Sequence, residues 1–299
     1  MIKKKADVSM KIKNIVKGIS HVIPNRTYLR LKYRMRTGKR LNLRNPSTYT
    51  ERLQWMKLYD HNPLYTTVVD KYEAKKFVAE KLGEEYVVPL IGVWDNVDDI
   101  PFEDLPNQFV LKCTHDSGGL QICTDKSTFD FEAAKKKLRA VLKTDYFWSN
   151  REWPYKNVKP RVIAEKYLED AATGETRDYK FFTFSGEPKV MYIATGRGTG
   201  ATYADFFDMD FNHLKLDIDH VNAPECPSKP VCFEEMKKAA AVLAKGIPQV
   251  RVDFYEINGK VYFGEMTFFH CGGFMNFTPD SWNKTFADWM PPFNPREKG

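Results

Sequence analysis

Lys112 stands on an otherwise apolar run, Gln108–Cys113, and His115-Asp116-Ser117-Gly118-Gly119 follows almost at once. A lysine on a buried strand is costly unless an anion pairs with it. Two glycines allow a tight turn and a close backbone approach to a ligand. An ammonium beneath a glycine loop suits phosphate; an ordinary hairpin with an edge lysine is the alternative. The loop is not a Walker A motif, since no GxxxxGK[ST] occurs. A second set pairs Arg251-x-Asp253 with Glu265-x-Thr267 across an Asn258-Gly259 turn. Residues i and i+2 of a strand share a face. A strict two-residue loop would put Asp253 and Glu265 on opposite faces, whereas one bulged residue would make them neighbours. Adjacent carboxylates in apolar surroundings call for a cation between them. Hard oxygen donors suit magnesium carried in with a nucleotide phosphate. A third set, Glu165-Lys166-Tyr167-Leu168, ends a strand. It reads either as a hinge that holds a base and a ribose or as a plain strand end.

No covalent nucleophile is evident. There is no GxSxG elbow, and His270 and Cys271, as neighbours on a strand, would point to opposite faces. The segment from His270 to Phe277 lines an acceptor pocket or forms a structural turn. His115 and Asp116 read best as a polar lining of the glycine loop.

These groups need a scaffold. Thr48 and Glu51 form a capping box that opens a helix over Thr48–Tyr59. Further helices are expected over Asp70–Leu82, Phe131–Leu142 and Cys232–Lys245. Strands are expected over Gln108–Cys113, Leu120–Cys123, Arg161–Leu168, Tyr179–Phe184, Pro188–Ala194, Gln249–Tyr255 and Lys260–Phe268. Helices and strands mix without strict alternation, which argues for α+β lobes rather than a doubly wound sheet.

The chain's 299 residues carry a net charge of +7, unevenly spread. Residues 1–44 hold 14 lysines and arginines against one acid, or +13, which leaves −6 on the rest. Within this arm Val8–Ile23 is amphipathic with helical spacing, and a basic run spans Arg26–Arg44. Such an arm can lie on an anionic membrane surface or pack on the body; recognised nucleic-acid motifs are absent. No run reaches the ~18 apolar residues of a membrane span. Five scattered cysteines without a CxxC pair fit a reducing cytoplasm. A cytoplasmic protein is expected, with a peripheral position at the inner face of the plasma membrane as its extension.

In this order, Asp70-Lys71-Tyr72, FVLKCTHDSGG (109–119), REWPYKN (151–157), IAEKYLED (163–170), DYKFF (178–182) and VRVDFY…GKVYFGEMTF (250–268) resemble the ATP-grasp superfamily. The likeness is to its TupA-like branch, associated with teichuronopeptide and other surface-polysaccharide synthesis. It runs from about Asn45 to Trp289. The resemblance implies an α+β fold in three lobes, with ATP held between two of them. An N-terminal lobe would span 45–107, a central lobe 108–168 and a C-terminal lobe 169–299, after the basic arm 1–44. Lys71 and Lys112 would hold ATP phosphates, and Ser117, Gly118 and Gly119 would close over them. Glu165, Lys166, Tyr167 and Leu168 would hold ribose and adenine. Asp253, Glu265 and Thr267 would bind Mg2+, with Thr267 standing where the family usually has Asn. Arg251 and Lys180 would stabilise the transferred phosphate.

The implied activity is ATP-dependent carboxylate–amine ligation through an acyl phosphate, joining for instance an amino acid to a uronic acid. The alternative is a glycosyltransferase, for which Asp208-Met209-Asp210 and Asp217-Ile218-Asp219 offer DxD patterns.

Overall fold

The computed structural model describes residues 20–171, 176–196 and 202–292. Most of the amphipathic segment Val8–Ile23 lies outside them.

Local signals decide several elements. Helix α1 is Asn25–Thr37, closed by Gly38 at φ 72°. Helix α2, Tyr49–Tyr59, carries the expected capping box of Thr48 and Glu51. Helix α3 is Pro63–Val69, capped by the Asn62 side chain. Helix α4 is Glu73–Leu82. It starts three residues later than expected because Asp70 Oδ1 accepts from the Tyr72 and Glu73 amides and turns the chain first. Strand β1 is Leu90–Trp94, β2 Phe109–Cys113, β3 Leu120–Cys123 and β4 Val162–Lys166. Helix α5, Phe131–Leu142, lies between β3 and β4, and the one-turn helix α6, Phe147–Asn150, follows it. Then come β5 Asp178–Phe184, β6 Glu187–Thr195, β7 Tyr203–Phe207 and β8 Asp217–Ile218. Helix α7 is Phe233–Leu243. The hairpin β9 Gln249–Ile257 and β10 Lys260–Thr267 turns on Asn258 and Gly259, both at positive φ. Strand β11 is Phe277–Thr278 and helix α8 Ser281–Trp289.

The strands form a four-stranded sheet, β1-β4-β2-β3, a five-stranded sheet, β10-β9-β5-β6-β7, and the small pair β11-β8. Neighbouring strands are antiparallel throughout. Each large sheet has its own core. Phe109, Leu111, Val162 and Leu138 of α5 anchor the first; Phe181, Val252, Phe254 and Phe233 of α7 anchor the second.

The cores divide the chain differently from the expected lobes. Leu53 of α2, Val68 of α3 and Val78 of α4 belong to the core of the five-stranded sheet. Val97, Ile100, Phe102 and Leu105 belong to the other core, and β1 pairs with β4. A separate N-terminal lobe over 45–107 is therefore not formed; its two halves complete two α+β lobes. The reason is burial: a short helical segment cannot hide its own apolar face and joins the nearest sheet.

The basic run after residue 25 also belongs to the body. Leu29 and Tyr33 of α1 are buried, as are Leu41 and Leu43. The Tyr28 hydroxyl donates to Ser149 O (2.9 Å), and the Arg151 guanidinium lies 4.2 Å from the Tyr28 ring centre. An arm separable at residue 44 does not fit this packing. A chain starting at Asn45 should lose the burial of four core side chains, Leu29, Tyr33, Leu41 and Leu43, each worth about 2–5 kcal/mol. Its urea midpoint should fall far below that of the full chain, and an unchanged midpoint would sink the assignment of α1 to the core.

Candidate active site

The hairpin bulge that the carboxylates require is present. The β9–β10 register shifts between Phe263 and Glu265, so Glu265 pairs with Asp253 and Thr267 with Arg251. Gly264 takes the extra place; a Cβ there would lie 3.1 Å from the Asp253 carbonyl oxygen. On the other side of β9, β5 sets Lys180 opposite Asp253. One face of the sheet thus carries the row Lys180–Asp253–Glu265, with Arg251 and Thr267 one pleat away.

Arg251 is the cation between the carboxylates. It donates to Asp253 from Nε (2.7 Å to Oδ1) and Nη2 (2.7 Å to Oδ2), to Glu265 Oε1 (2.9 Å) and to Thr267 Oγ1 (3.0 Å). Lys180 also donates to Asp253 Oδ2 and lies 3.4 Å from Asp178. Burial opposes the charge on Arg251, yet Asp253 and Glu265 outweigh it and hold the guanidinium well above its ordinary value. Its Nη1 donates to His270 Nδ1 (2.6 Å). Burial first, then the charges of Arg251 and Lys180, push His270 well below the usual imidazole value, so it is neutral and can accept.

Lys112 has its anion too. Glu165 lies between two lysines, 2.5 Å from Lys112 and 2.6 Å from Lys75. Burial alone would raise this carboxyl, but the two ammonium groups hold it below the usual range. Glu165, expected at the ribose, thus spends both oxygens on lysines. Lys75, on the first turn of α4, joins Lys71 and Lys112 at the cleft, a placement that the sequence does not signal. Lys71 donates to the Asp116 carbonyl oxygen. Asp116 Oδ2 accepts from the Gly118 (2.9 Å) and Gly119 (2.6 Å) amides, so it holds the glycine loop. His115 points away, its Nε2 3.2 Å from the carbonyl oxygens of Val141 and Thr144.

Three adjoining spaces form one cleft between the sheets. The first, about 460 Å3, is lined by Val88, Val110, Leu120, Ile122 and the segment from Glu165 to Leu168. Leu120 and Ile122 are exposed on alternate positions of β3, which presents an apolar wall. The middle space, about 260 Å3, collects Lys71, Lys75, Lys112, Lys180, Gly118 and Gly119 with Glu265. The last, about 390 Å3, takes in Ser117, Glu152, Tyr155, Lys180, Tyr192, Arg251 and His270. Lys112, Glu165, Asp178 and Tyr255 border the first two spaces; Ser117, Lys180 and Glu265 border the last two. The Lys166 amide donates to Pro89 O (3.0 Å), and Leu168 O accepts from Thr176 (2.7 Å).

Two expectations need correction. His270 and Cys271 do touch, Sγ to Nε2 at 3.6 Å, because the segment is a turn rather than a strand and Cys271 has φ 49°. They are no nucleophilic pair: burial and then Asp219 push the thiol up to about 11, beside a neutral imidazole. The DxD pattern at 208–210 is a turn. Asp208 Oδ1 accepts from the amides of Asp210 (2.9 Å) and Asn212 (2.8 Å).

Asp253, Glu265 and Thr267 offer hard oxygens side by side, the donor type that magnesium takes. Among the described residues no three carboxylates, imidazoles or thiols converge into a protein-only metal centre. That fits an ion held by one or two carboxylates and completed by phosphate oxygens. Both Asp253 oxygens are engaged by Arg251 and Lys180.

No curated protein matches the chain. Among solved structures, the D-alanine–D-alanine ligase of Bacillus anthracis complexed with ATP is 19% identical, with a TM-score of 0.40 over 67% of this chain and 55% of that one. The D-alanine–D-alanine ligase of Helicobacter pylori is 13% identical, with a TM-score of 0.41 over 83% and 70%. The ATP-grasp ligase PsnB complexed with a precursor variant, Mg and ADP is 8% identical, with a TM-score of 0.43 over 80% and 65%. The chain spans little more than half the length of the Bacillus anthracis enzyme. The family model for TupA-like ATPgrasp matches residues 51–290, four-fifths of the sequence and both sheets. The chain belongs to the TupA-like ATP-grasp family.

Proposed function

We propose that the chain is an ATP-dependent carboxylate–amine ligase. The observation that carries this reading is the order of surfaces along one cleft: an apolar wall, then a cluster of lysines under a glycine loop, then Arg251 and Glu265. A nucleobase suits the first, a polyphosphate the second and a transfer reaction the third. Membership of the family supports it.

In this reading the segment Glu165–Leu168, with Leu120 and Ile122, holds the base. Lys71, Lys112 and Lys75 neutralise phosphate charge, and the Gly118 and Gly119 amides turn from Asp116 to the phosphate. Glu265 and Asp253, with Thr267, hold Mg2+, which supplies charge neutralisation at the phosphates. A substrate carboxylate attacks the γ-phosphorus, the bond to ADP breaks, and an acyl phosphate forms. Lys180 and Arg251, drawn from Asp253 as phosphate and Mg2+ enter, turn to the transferred group and stabilise its charge. The amine then attacks the acyl carbon and phosphate leaves.

By family likeness, the acid is a uronic acid of a surface polysaccharide or its precursor and the amine an amino acid. A cytoplasmic setting, with the basic N-terminal residues near an anionic membrane, belongs to the same proposal. Among the described residues no helix is long and apolar enough to cross a membrane.

ADP release should require both an acid and an amine, screened as uronic acids against amino acids. Glu265→Gln should abolish it while leaving the urea midpoint in place. ADP release indifferent to added acid, or full turnover in that variant, would refute the reading.

A further inference from the structure

The last space of the cleft is lined by charges of both signs, Lys180 and Arg251 with Glu265 and Glu152. Glu152, from the stretch REWPYKN, has no role in the reading above. Glu152 is only 3% exposed, yet it lines this space. Asn150 Nδ2 donates to its Oε1 (3.0 Å); among the described residues no cation forms an ion pair with it.

Lys57 and Lys32 act on Glu152 from beyond ion-pair distance without offsetting its burial, and the bonds of Lys57 go elsewhere. Lys57 donates to Gln54 Oε1 (3.0 Å) and Gly272 O (2.5 Å) and lies 4.4 Å from the Phe274 ring centre. A buried carboxylate with one neutral donor is costly unless a cation arrives. Tyr146 and Tyr155 line the same space within the electrostatic reach of Glu152.

The carboxylate is also held in place from a distance. Lys32 of α1 donates to Asn150 Oδ1 (2.7 Å), which turns the amide so that Nδ2 faces Glu152. Arg151 is clamped between Tyr28 (4.2 Å) and Trp148 (4.3 Å), which fixes the backbone next to Glu152. Helix α1 thus reaches the site through two contacts.

We propose that Glu152 docks the ammonium group of the acceptor and receives its proton. This rests on the ligase reading and names the residue that selects an amine as second substrate. One proton passes from the ammonium to the Glu152 carboxylate. The freed lone pair forms the C–N bond as the C–O bond of the acyl phosphate breaks, and phosphate leaves with the electron pair and the second amine proton. Burial, which raises the Glu152 carboxyl above its ordinary value, makes it a better proton acceptor than a solvated glutamate.

Glycinamide, an ammonium without a carboxylate, and propanamide, its uncharged counterpart, serve as probes. Each is titrated into the full chain with Mg2+ and a non-hydrolysable ATP analogue, and the heat of binding is followed by calorimetry. Wild type should saturate with glycinamide and not with propanamide. Glu152→Gln should bind glycinamide about tenfold more weakly or worse, the loss of a charge-assisted bond. Glu152→Asp, which keeps the charge, should fall between them, an order that a merely structural role would not produce. Thermal stabilisation by MgATP should be the same in all three. No preference for glycinamide in wild type, or equal affinity in E152Q, overturns the proposal. Absence of MgATP stabilisation in wild type would overturn the ligase reading instead. If E152Q does not fold, the contrast between the two probes in wild type still decides.

Discussion

Arg251→Met should lose both turnover and stability, and the two losses should be separable. Asp253 is fully buried and has two cationic partners, Arg251 and Lys180. Removing the guanidinium leaves Lys180 shared between Asp253 and Asp178 and leaves Glu265 only the Thr267 hydroxyl as a donor (3.3 Å). Breaking a buried pair by removing one member costs about 3–5 kcal/mol, because the remaining charge stays desolvated. The urea midpoint should fall accordingly. Adding Asp253→Asn to that variant should recover part of the stability, since the uncompensated charge goes with it. Turnover should not return: losing a donor aimed at transition-state charge costs about 10²–10³-fold. If the single variant unfolds within about 1 kcal/mol of wild type, the guanidinium is not the cation that holds this sheet face together.

Lys112→Met should separate binding from folding the other way. Glu165 keeps Lys75, 2.6 Å away, so the sheet should survive. A charge-assisted contact is worth about 1.5–3 kcal/mol, so the affinity for MgATP should fall about 10- to 100-fold. Loss of the MgATP thermal shift with a near-native melting temperature is the expected pattern. The pH dependence carries a second sign. Lys112 and Lys75 overcome burial and hold Glu165 below the usual carboxylate value. A lowered carboxyl contributes stability above its unfolded value, about 4.3, and loses it as pH falls through the folded one. Removing Lys112 brings the folded value back up, so the variant should lose less stability than wild type on acidification below about pH 4. A full MgATP shift in the variant would exclude Lys112 from the phosphate site.

Much of the site was legible in the order of residues because strand geometry is periodic. Arg251 and Asp253 share a face by spacing alone, and the need for a bulge before Glu265 followed from the pleat. The capping box at Thr48 and the Asn258-Gly259 turn were legible for similar reasons, since each is a local bond pattern that four residues settle. Lys75 escaped notice because its value lies in Glu165, about ninety residues away in the chain. The sequence leaves α1 open between a membrane surface and the body because five basic side chains mask the few apolar ones, Leu29 and Tyr33 among them, that decide its packing.

By itself the sequence determined the chemical inventory: a lysine beside a glycine loop, carboxylates on a hairpin, an arginine two residues from an aspartate, and no covalent nucleophile. The tertiary structure alone decided which charge meets which. It placed Arg251 between Asp253 and Glu265, gave Glu165 to two lysines, and left Glu152 with a neutral partner in the last space of the cleft. The reason is that charge pairing depends on distance in space and on burial. Both emerge only when two sheets close on one another and water leaves the gap between them.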